Sequence, residues 1–290
     1  MYQFNHASEL LQMCENHKLD ISEVLILAEM EESGRARDAI RGLMEKQYQI
    51  MKESISKGLS PDVKSVGGLI GGNAHKLSVY GQEKGFCGKT VLKAVSYALA
   101  VTEINAAMGK IVAAPTAGAS GIVPGVIVAL QEDQNYSDVK AVEALFVAAA
   151  IGRIIAINAT LSGAEGGCQA ECGSASAMAA AAAVNMAGGS PEMCMDAAAV
   201  ALKGLLGLVC DPVAGLVEVP CSKRNATSAA NALICADMAL AGIKSFIPFD
   251  EVVDAMYRVG RKMSPDLRET AQGGCAITPT ALQYAKRILE

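Results

Sequence analysis

The stretch Ser162-Gly-Ala-Glu-Gly-Gly-Cys168-Gln-Ala-Glu-Cys172-Gly173 places two cysteines in a glycine-rich segment between two long helical patterns. A second pair of cysteines bounds the segment Cys210-Asp-Pro-Val-Ala-Gly-Leu-Val-Glu-Val-Pro-Cys221. Glycine and proline interrupt helices, so both segments are predicted to be loops that end one helix and begin another. Thiols on such loops can point inward at one shared ligand, and the rest of the chain is predicted to build a pocket beside it.

The spacing of these cysteines does not select one ligand. Cys168 and Cys172 are four residues apart and Cys210 and Cys221 eleven, unlike the C-x2-C pairs of zinc sites and the cysteine runs of ferredoxins. Spacing alone leaves three alternatives open: a zinc site, a cluster held by widely spaced cysteines, and loop cysteines without a ligand. Three other cysteines lie in helical patterns, where free cysteine packs as a small apolar side chain: Cys14, Cys194 and Cys235.

The composition favours a large helical core. Of 290 residues, 51% are apolar, 19% are charged and 4% are aromatic, while alanine and glycine are prominent and tryptophan is absent. Such a composition favours closely packed helices over a sheet of β-branched and aromatic residues. We therefore predict an all-α fold in a single domain over residues 1–290, with a helical N-terminal scaffold at 1–60.

Charge and apolar runs argue against two classes of partner. A net charge of −5 without a basic stripe argues against nucleic acid. The longest apolar run, 144–159, contains Arg153 and Asn158 and is shorter than the roughly 20 residues that a membrane span needs. The polar N-terminus does not resemble a signal peptide, so we expect a cytosolic protein whose nine cysteines do not form a disulfide framework.

Two segments of small residues are candidate binding loops. Four glycines at positions 67–72 exclude a stable helix there and let the backbone approach a ligand, with His75 and Lys76 following. A flexible connection with a solvated lysine fits this composition equally well. The second loop precedes a helix predicted at about 123–132, where Thr116 and Ser120 add hydroxyl donors to a helix N-terminus. That start suits a substrate carboxylate, and it also suits an ordinary capped helix.

Apolar periodicity and capping residues predict the remaining helices. Their predicted ranges are 8–17, 24–32, 36–57, 91–108, 139–157, 174–186, 191–208, a helix after Thr227 that ends near 241, 250–261, and a last helix from 279.

Several motifs occur together and in order. They are Ala114-Pro-Thr-Ala-Gly118, Gly163-Ala-Glu-Gly-Gly-Cys168-Gln, Cys210-Asp-Pro-Val-Ala-Gly215 with Val-Pro-Cys221, and Arg224-Asn-Ala226. In this combination the sequence resembles the iron–sulfur-dependent L-serine dehydratases, and in particular the α chain of their two-chain form. The resemblance covers almost the whole chain and is strongest over 64–275, which it marks as the catalytic core.

The resemblance implies a 4Fe–4S cluster and no pyridoxal phosphate. Matched to the family motifs, its ligands are Cys168, Cys210 and Cys221, with Cys172 as a neighbour outside the ligand set. Three protein ligands leave one iron open, as a Lewis acid requires. The implied reaction converts L-serine to pyruvate and ammonia, with the open iron acting on the substrate hydroxyl.

The resemblance also suggests roles for individual side chains. A base must remove the α-proton of L-serine, and Lys76 is the first candidate provided that it is buried near the cluster, with His75 as the second. The residues expected to bind L-serine are Ser65, Asn73, Thr116, Gly118, Ser120 and Asn225.

Two departures from the single-chain family members bear on activity. The sequence ends Ala285-Lys-Arg-Ile-Leu-Glu290, without the terminal cysteine that can cap the open iron in those members, and Cys275 is the nearest cysteine to that end. The additional domain of those members is also missing, which implies a separate β chain and little or no activity without it. A higher oligomer is compatible with the resemblance. The alternative function is a non-catalytic metal-binding or redox-sensing subunit that uses the same cysteines.

Overall fold

The computed structural model describes residues 1–289, and within them the chain forms thirteen α-helices and no β-strand. The predicted all-α fold is therefore confirmed. The helices are α1 (Ala7–His17), α2 (Ile21–Ser33), α3 (Arg37–Gly58), α4 (Asn73–Glu83), α5 (Gly88–Ala106), α6 (Ile122–Asp133), α7 (Asp138–Asn158), α8 (Gly163–Gly166), α9 (Ser174–Met186), α10 (Pro191–Lys203), α11 (Cys221–Leu240), α12 (Phe249–Lys262) and α13 (Pro279–Leu289). A π-helical turn covers Gln169–Gly173, and 3-10 turns cover Val213–Gly215, Pro265–Leu267 and Gly274–Ile277.

The centre of the fold is α9, a helix built mostly from alanine. Every residue of α9 except Asn185 is buried, and the helix packs against α6, α7, α10 and α11. Alanine side chains let these helices approach closely, because little side chain separates their backbones. The same close approach joins α5 to α6, where a Cβ on Gly125 would lie only 2.8 Å from the carbonyl oxygen of Ala94. Small residues are therefore a packing requirement of this core.

Most predicted helix boundaries are confirmed to within a few residues, because local side chains set them. The Asp20 carboxylate accepts a hydrogen bond of 2.7 Å from the Ile21 amide at the start of α2. Ser137 and Ser190 cap α7 and α10 by accepting from an amide in the first turn. Gly34 ends α2 in the left-handed conformation that glycine adopts readily.

The sequence patterns do not predict α4, which begins at Asn73 directly after the glycine segment. Its cap comes from α5, where the fully buried Glu103 accepts hydrogen bonds from the Asn73 backbone amide (2.9 Å) and side-chain amide (2.8 Å). This carboxylate lies 30 residues away in the sequence, so no local motif marks the start of the helix. His75 and Lys76 consequently lie on a helix and not on a flexible connection.

The start of α11 also differs from the prediction. The helix begins at Cys221 itself, well before the predicted start after Thr227. The Asn225 side chain accepts a hydrogen bond from the Gly121 amide (3.0 Å) and donates one to the Gly118 carbonyl (2.7 Å). These contacts tie the polar first turns of α11 to the loop before α6, so tertiary structure overrides their weak helix propensity.

The end of α10 lies at Lys203, earlier than the predicted range of 191–208. The residues that follow fold back onto the π-helical turn. The Leu208 carbonyl accepts a hydrogen bond of 3.0 Å from the Gln169 amide, and the Gly207 amide donates one of 2.9 Å to the Gln169 side chain. These contacts replace the helical hydrogen bonds that a longer α10 would make.

Among the described residues, α7 is the one helix long and apolar enough to cross a membrane. At 21 residues it is longer than the interrupted apolar run suggests, so the length argument against a span does not hold for the folded helix. Its most apolar window is 67% buried inside the fold, which is typical of a core helix.

Candidate cysteine centre

Cys168 lies in the turn that joins α8 to α9. The next residue, Gln169, is fully buried, and its side chain accepts a hydrogen bond from the Gly207 amide (2.9 Å) and donates one to the Met256 carbonyl (3.0 Å). These bonds fix the turn against α12 and against the segment after α10. The Cys168 thiol is therefore held in the interior, where it is only 3% exposed.

Cys210 and Cys221 bound the second cysteine segment and are fixed in different ways. The Cys210 amide donates to the Leu267 carbonyl, and the Cys210 carbonyl accepts from the Glu269 amide, both at 2.8 Å. Cys221 is the first residue of α11. Both thiols are buried. The predicted loop position is thus correct for Cys210, whereas Cys221 lies on a helix.

Arg224 brings the three cysteine segments together. It lies one turn after Cys221, and its Nη1 atom is 2.7 Å from both the Val209 carbonyl oxygen and Asp211 Oδ1. Its positive charge also helps to lower the pKa of Cys168. One partly buried cation therefore lies on the helix of Cys221, contacts the segment of Cys210 and acts on Cys168, so it offsets part of the negative charge that thiolates bring.

The side chains of this centre interact directly. One ligand atom from each of Cys168, Glu171 and Cys210 lies within 4.8 Å of the other two. Hydrogen bonds from the Cys172 and Cys210 thiols lower the pKa of Cys168, and the charge of Arg224 acts in the same direction. The same hydrogen bonds, together with burial, raise the pKa values of Cys172 and Cys210. Cys168 is therefore the most acidic thiol of the group.

Glu171 is absent from the sequence prediction, yet it lies beside Cys168 and Cys210. Its carboxylate accepts a hydrogen bond of 2.8 Å from the Thr116 hydroxyl. Burial raises the pKa of Glu171 to about 7, and the charge of Cys168 adds to that shift. The π-helical turn directs the Glu171 carboxylate towards the Cys168 thiol, which lies three residues earlier in the sequence.

Four of the predicted substrate-binding residues meet at the loop before α6: Thr116, Gly118, Ser120 and Asn225. Asn225 joins this loop to the cysteines, because its Nδ2 donates to the Cys221 carbonyl (3.0 Å) as well as to the loop. Gly118 faces Glu171, whose Oε1 would lie 2.9 Å from an added Cβ. Ser120 is fully buried, and its hydroxyl has no hydrogen-bond partner among residues 1–289. Their contact with a substrate stays a prediction.

Ser65 lies in the glycine segment, whose donors already bind a carboxylate of the chain itself. Glu218 accepts hydrogen bonds from the Ser65 hydroxyl (2.6 Å) and from the amides of Gly67 (2.7 Å) and Leu69 (3.0 Å). A Cβ on Gly67 would lie 2.6 Å from Glu218 Oε1, so a larger residue would displace that carboxylate. The backbone does approach an anion, as the glycine pattern predicts, but the anion belongs to the segment between the second pair of cysteines.

The two candidate bases have different surroundings. Lys76 is exposed on α4, so the described part of the chain does not provide the burial that its expected role requires. His75 is partly buried, and its Nδ1 lies 3.1 Å from the Leu59 carbonyl oxygen, which can only accept a hydrogen bond. Nδ1 therefore carries the proton, and Nε2 is the basic atom. Ala74 of α4 shares a small apolar cluster with Leu99 and Ala100 of α5 and with Ala226 of α11, so α5 is the helix that joins α4 to α11.

The donor set is compatible with an iron–sulfur cofactor. Such clusters are bound by cysteine thiolates. Cys168 and Cys210 lie together here, and Cys221 is a third buried cysteine on which the charge of Cys168 acts. Ser222, which follows Cys221, is fully buried, and its hydroxyl lacks a hydrogen-bond partner within the described residues, so it is available to a bound group. Burial raises the pKa of Cys221 to about 12, so a metal must displace its proton.

Cys275 lies at the edge of the centre. Its amide donates a hydrogen bond of 2.5 Å to Asp211 Oδ2, and its side chain is exposed. A capping role for Cys275 stays untested.

Three residues to which the sequence prediction gives no role make structural contacts here: Glu171, Glu218 and Arg224. Glu171 and Arg224 each follow a predicted ligand by three positions, a spacing that brings side chains together on a helical turn. This spacing could have identified Glu171 and Arg224 from the sequence, provided that Cys168 and Cys221 were known to begin helical turns. Glu218 has no local signal, because the serine that it binds is 153 residues away in the sequence.

The fold and the site define an all-α protein with a buried centre of cysteines and a carboxylate. Comparison with known families identifies that class more closely. Residues 16–276 match the family model described as "Serine dehydratase alpha chain". The chain therefore belongs to the serine dehydratase alpha chain family.

Individual relatives are similar over nearly the whole chain. The Bacillus subtilis protein named "Probable L-serine dehydratase, alpha chain" is 51% identical, and the match covers 98% of this chain and 95% of the relative. "L-serine dehydratase, alpha chain" of Peptoniphilus asaccharolyticus is 42% identical, with 99% and 98% covered. "L-serine dehydratase" of Streptomyces coelicolor is 38% identical over 95% of this chain, which spans 61% of that longer relative.

Proposed function

We propose that this chain is the catalytic α chain of an L-serine dehydratase, which converts L-serine to pyruvate and ammonia. The observation that carries the proposal is the buried centre in which Arg224 joins the segments of Cys168, Cys210 and Cys221. Loss of the serine hydroxyl and α-proton gives aminoacrylate and water. Tautomerisation and hydrolysis then consume one water and release ammonia, so the overall reaction needs no oxidant or reductant.

Cys168, Cys210 and Cys221 are the proposed ligands of a 4Fe–4S cluster. A bound cluster with one open iron supplies a Lewis acid for the serine hydroxyl, which is otherwise a poor leaving group. The fold keeps the three thiols away from bulk water, and Arg224 offsets part of their charge. Cys172 is fully enclosed and interacts with Cys168, so its proposed part is to support that ligand.

His75 is the proposed base for the α-proton, ahead of Lys76. The Leu59 carbonyl at Nδ1 orients the ring and leaves Nε2 as the atom of the neutral imidazole that can accept a proton, whereas Lys76 lacks the burial that its role requires. We expect His75→Ala to lower kcat by about 10²- to 10⁴-fold and Lys76→Ala to keep most of it. The reverse outcome in a steady-state pyruvate assay would assign the proton transfer to Lys76.

The proposed partner is a separate β chain, which the designation of the relatives as alpha chains implies. Anaerobic reconstitution with ferrous iron and sulfide, followed by addition of the β chain, tests the function. We expect iron-dependent formation of pyruvate from L-serine. A matched variant, Cys194→Ser, changes a buried cysteine of α10 and should stay active.

Two results would overturn this proposal. One is bound zinc with no iron after anaerobic purification. The other is bound iron without serine turnover when the β chain is present. Either result would support the non-catalytic metal-binding or redox-sensing subunit instead.

A further inference from the structure

The Glu171 carboxylate lies in a space that is left open because the positions facing it are glycines. An added Cβ on Gly163 would lie 2.5 Å from Glu171 Oε2, and one on Gly118 would lie 2.9 Å from Oε1. Two glycines on different segments thus form the walls around one carboxylate. The Thr116 hydroxyl orients that carboxylate through a hydrogen bond of 2.8 Å.

A second carboxylate borders the same space. Glu269 Oε2 would lie 3.2 Å from an added Cβ on Gly163, the glycine that faces Glu171. The nearby cation, Arg224, forms an ion pair with Asp211. No ion pair within residues 1–289 involves Glu171. A partly buried carboxylate in such surroundings favours a cationic ligand.

We propose that the Glu171 carboxylate binds the α-ammonium group of the substrate and so selects α-amino acids over the corresponding α-hydroxy acids. This assignment rests on the proposed function and extends it to substrate selection. The carboxylate lies beside Cys168 and Cys210, so a substrate whose hydroxyl is at the cysteine centre has its ammonium group within reach. An ammonium group donates hydrogen bonds and cancels one negative charge, whereas a hydroxyl in its place leaves Glu171 without a counter-charge.

The test compares Glu171→Gln with the wild-type protein, each as the iron-loaded α chain with its β chain under anaerobic conditions. L-Alanine and L-lactate serve as a matched pair of non-reacting competitors, because they differ only in the ammonium or hydroxyl group on the α-carbon. We expect Glu171→Gln to raise the KM for L-serine by about 10- to 100-fold, the loss of one charge-assisted hydrogen bond. The preference for L-alanine over L-lactate should fall towards unity.

Iron content and the visible absorption of the cluster provide a second readout that does not depend on turnover. We expect both to be unchanged in Glu171→Gln. The control is Glu165→Gln, which alters an exposed carboxylate of the same stretch and should leave the KM and the preference as in the wild type.

Two outcomes would overturn the assignment while the proposed function stands. An unchanged KM and an unchanged preference would exclude ammonium binding by Glu171. Loss of iron would make Glu171 a ligand of the cofactor instead. If the wild-type complex forms no pyruvate, the proposed function fails. Calorimetric binding of L-alanine and L-lactate then decides the ammonium assignment, and equal affinities would contradict it.

Discussion

Single residues distinguish the proposed ligands from the other buried cysteines. Cys168, Cys210 and Cys221 lie on segments that Arg224 contacts, while Cys194 lies within α10 among apolar side chains. Serine is close to cysteine in size but lacks the soft sulfur donor that iron–sulfur clusters require. We expect the Cys→Ser variant of each proposed ligand to weaken iron binding by more than about 10-fold, measured as iron per chain after anaerobic reconstitution.

Two further cysteine variants complete this test. Cys235→Ser alters a buried cysteine of α11 outside the centre and should retain full iron. Cys172→Ser should also retain iron, because Cys172 is assigned as a neighbour of Cys168 and not as a ligand. Full iron in all three ligand variants would contradict the assignment.

Sequence context identifies side chains whose surroundings are local. The glycines and prolines around Cys168 and Cys210 are enough to separate them from core cysteines. Glu171 lies in the same stretch but is overlooked, because its place depends on how the π-helical turn directs it. Gly118 and Gly121, the partners of Asn225 in the loop before α6, are more than 100 residues away, so this contact is visible only in the folded chain.

At the scale of helices, the contact between α5 and α6 depends on small residues. A Cβ on Gly125 would lie 2.8 Å from the Ala94 carbonyl oxygen and 2.9 Å from the Ala98 amide nitrogen. Both are backbone atoms and cannot move without shifting α5. We therefore expect Gly125→Ala to lower the free energy of unfolding by about 1–3 kcal/mol, measured by urea denaturation.

Gly42→Ala is the matched control for that substitution. Gly42 lies within α3, and an added Cβ would meet no atom within 4 Å. Alanine loses less conformational entropy than glycine when a helix forms, so this variant should be more stable by about 0.5–1 kcal/mol. Equal destabilisation by both variants would show that the contact between α5 and α6 is not the cause.

The glycine segment and the second cysteine segment are joined through Glu218. Its carboxylate accepts three hydrogen bonds from Ser65, Gly67 and Leu69, and its side chain is 3% exposed. Removal of the carboxylate leaves those donors without a partner, so we expect Glu218→Ala to cost about 2–4 kcal/mol in urea unfolding. Glu45→Ala, an exposed glutamate of α3, should change stability by less than about 0.5 kcal/mol. A small effect at Glu218 would mean that the segments are held together by other contacts.

Helices whose ends are set locally are predictable, and those whose ends are set by distant side chains are not. α7 and α10 begin where Ser137 and Ser190 cap them, and the sequence shows both caps. α4 begins where Glu103 of another helix supplies the acceptor. No pattern within the glycine segment contains that information, so a loop is the natural expectation there.

The whole chain carries all three proposed cluster ligands, the proposed base and Glu171. It also spans 95% of the Bacillus subtilis relative and 98% of the Peptoniphilus asaccharolyticus relative, both named as alpha chains. By contrast, it spans only 61% of the Streptomyces coelicolor L-serine dehydratase. All three proposed ligands lie within this chain, and the longer relative extends beyond the part that the chain matches.

We therefore expect the chain alone to bind iron normally but to form little or no pyruvate. The proposed base lies on α4 next to the exposed Lys76, so this region is open to solvent in the single chain, and water exclusion would have to come from a partner. Addition of the β chain should raise pyruvate formation per iron by at least about 10-fold without changing iron per chain. The assay compares both quantities across a titration of the β chain, with Cys168→Ser as a control that should gain nothing. Full turnover by the chain alone would contradict this division of roles.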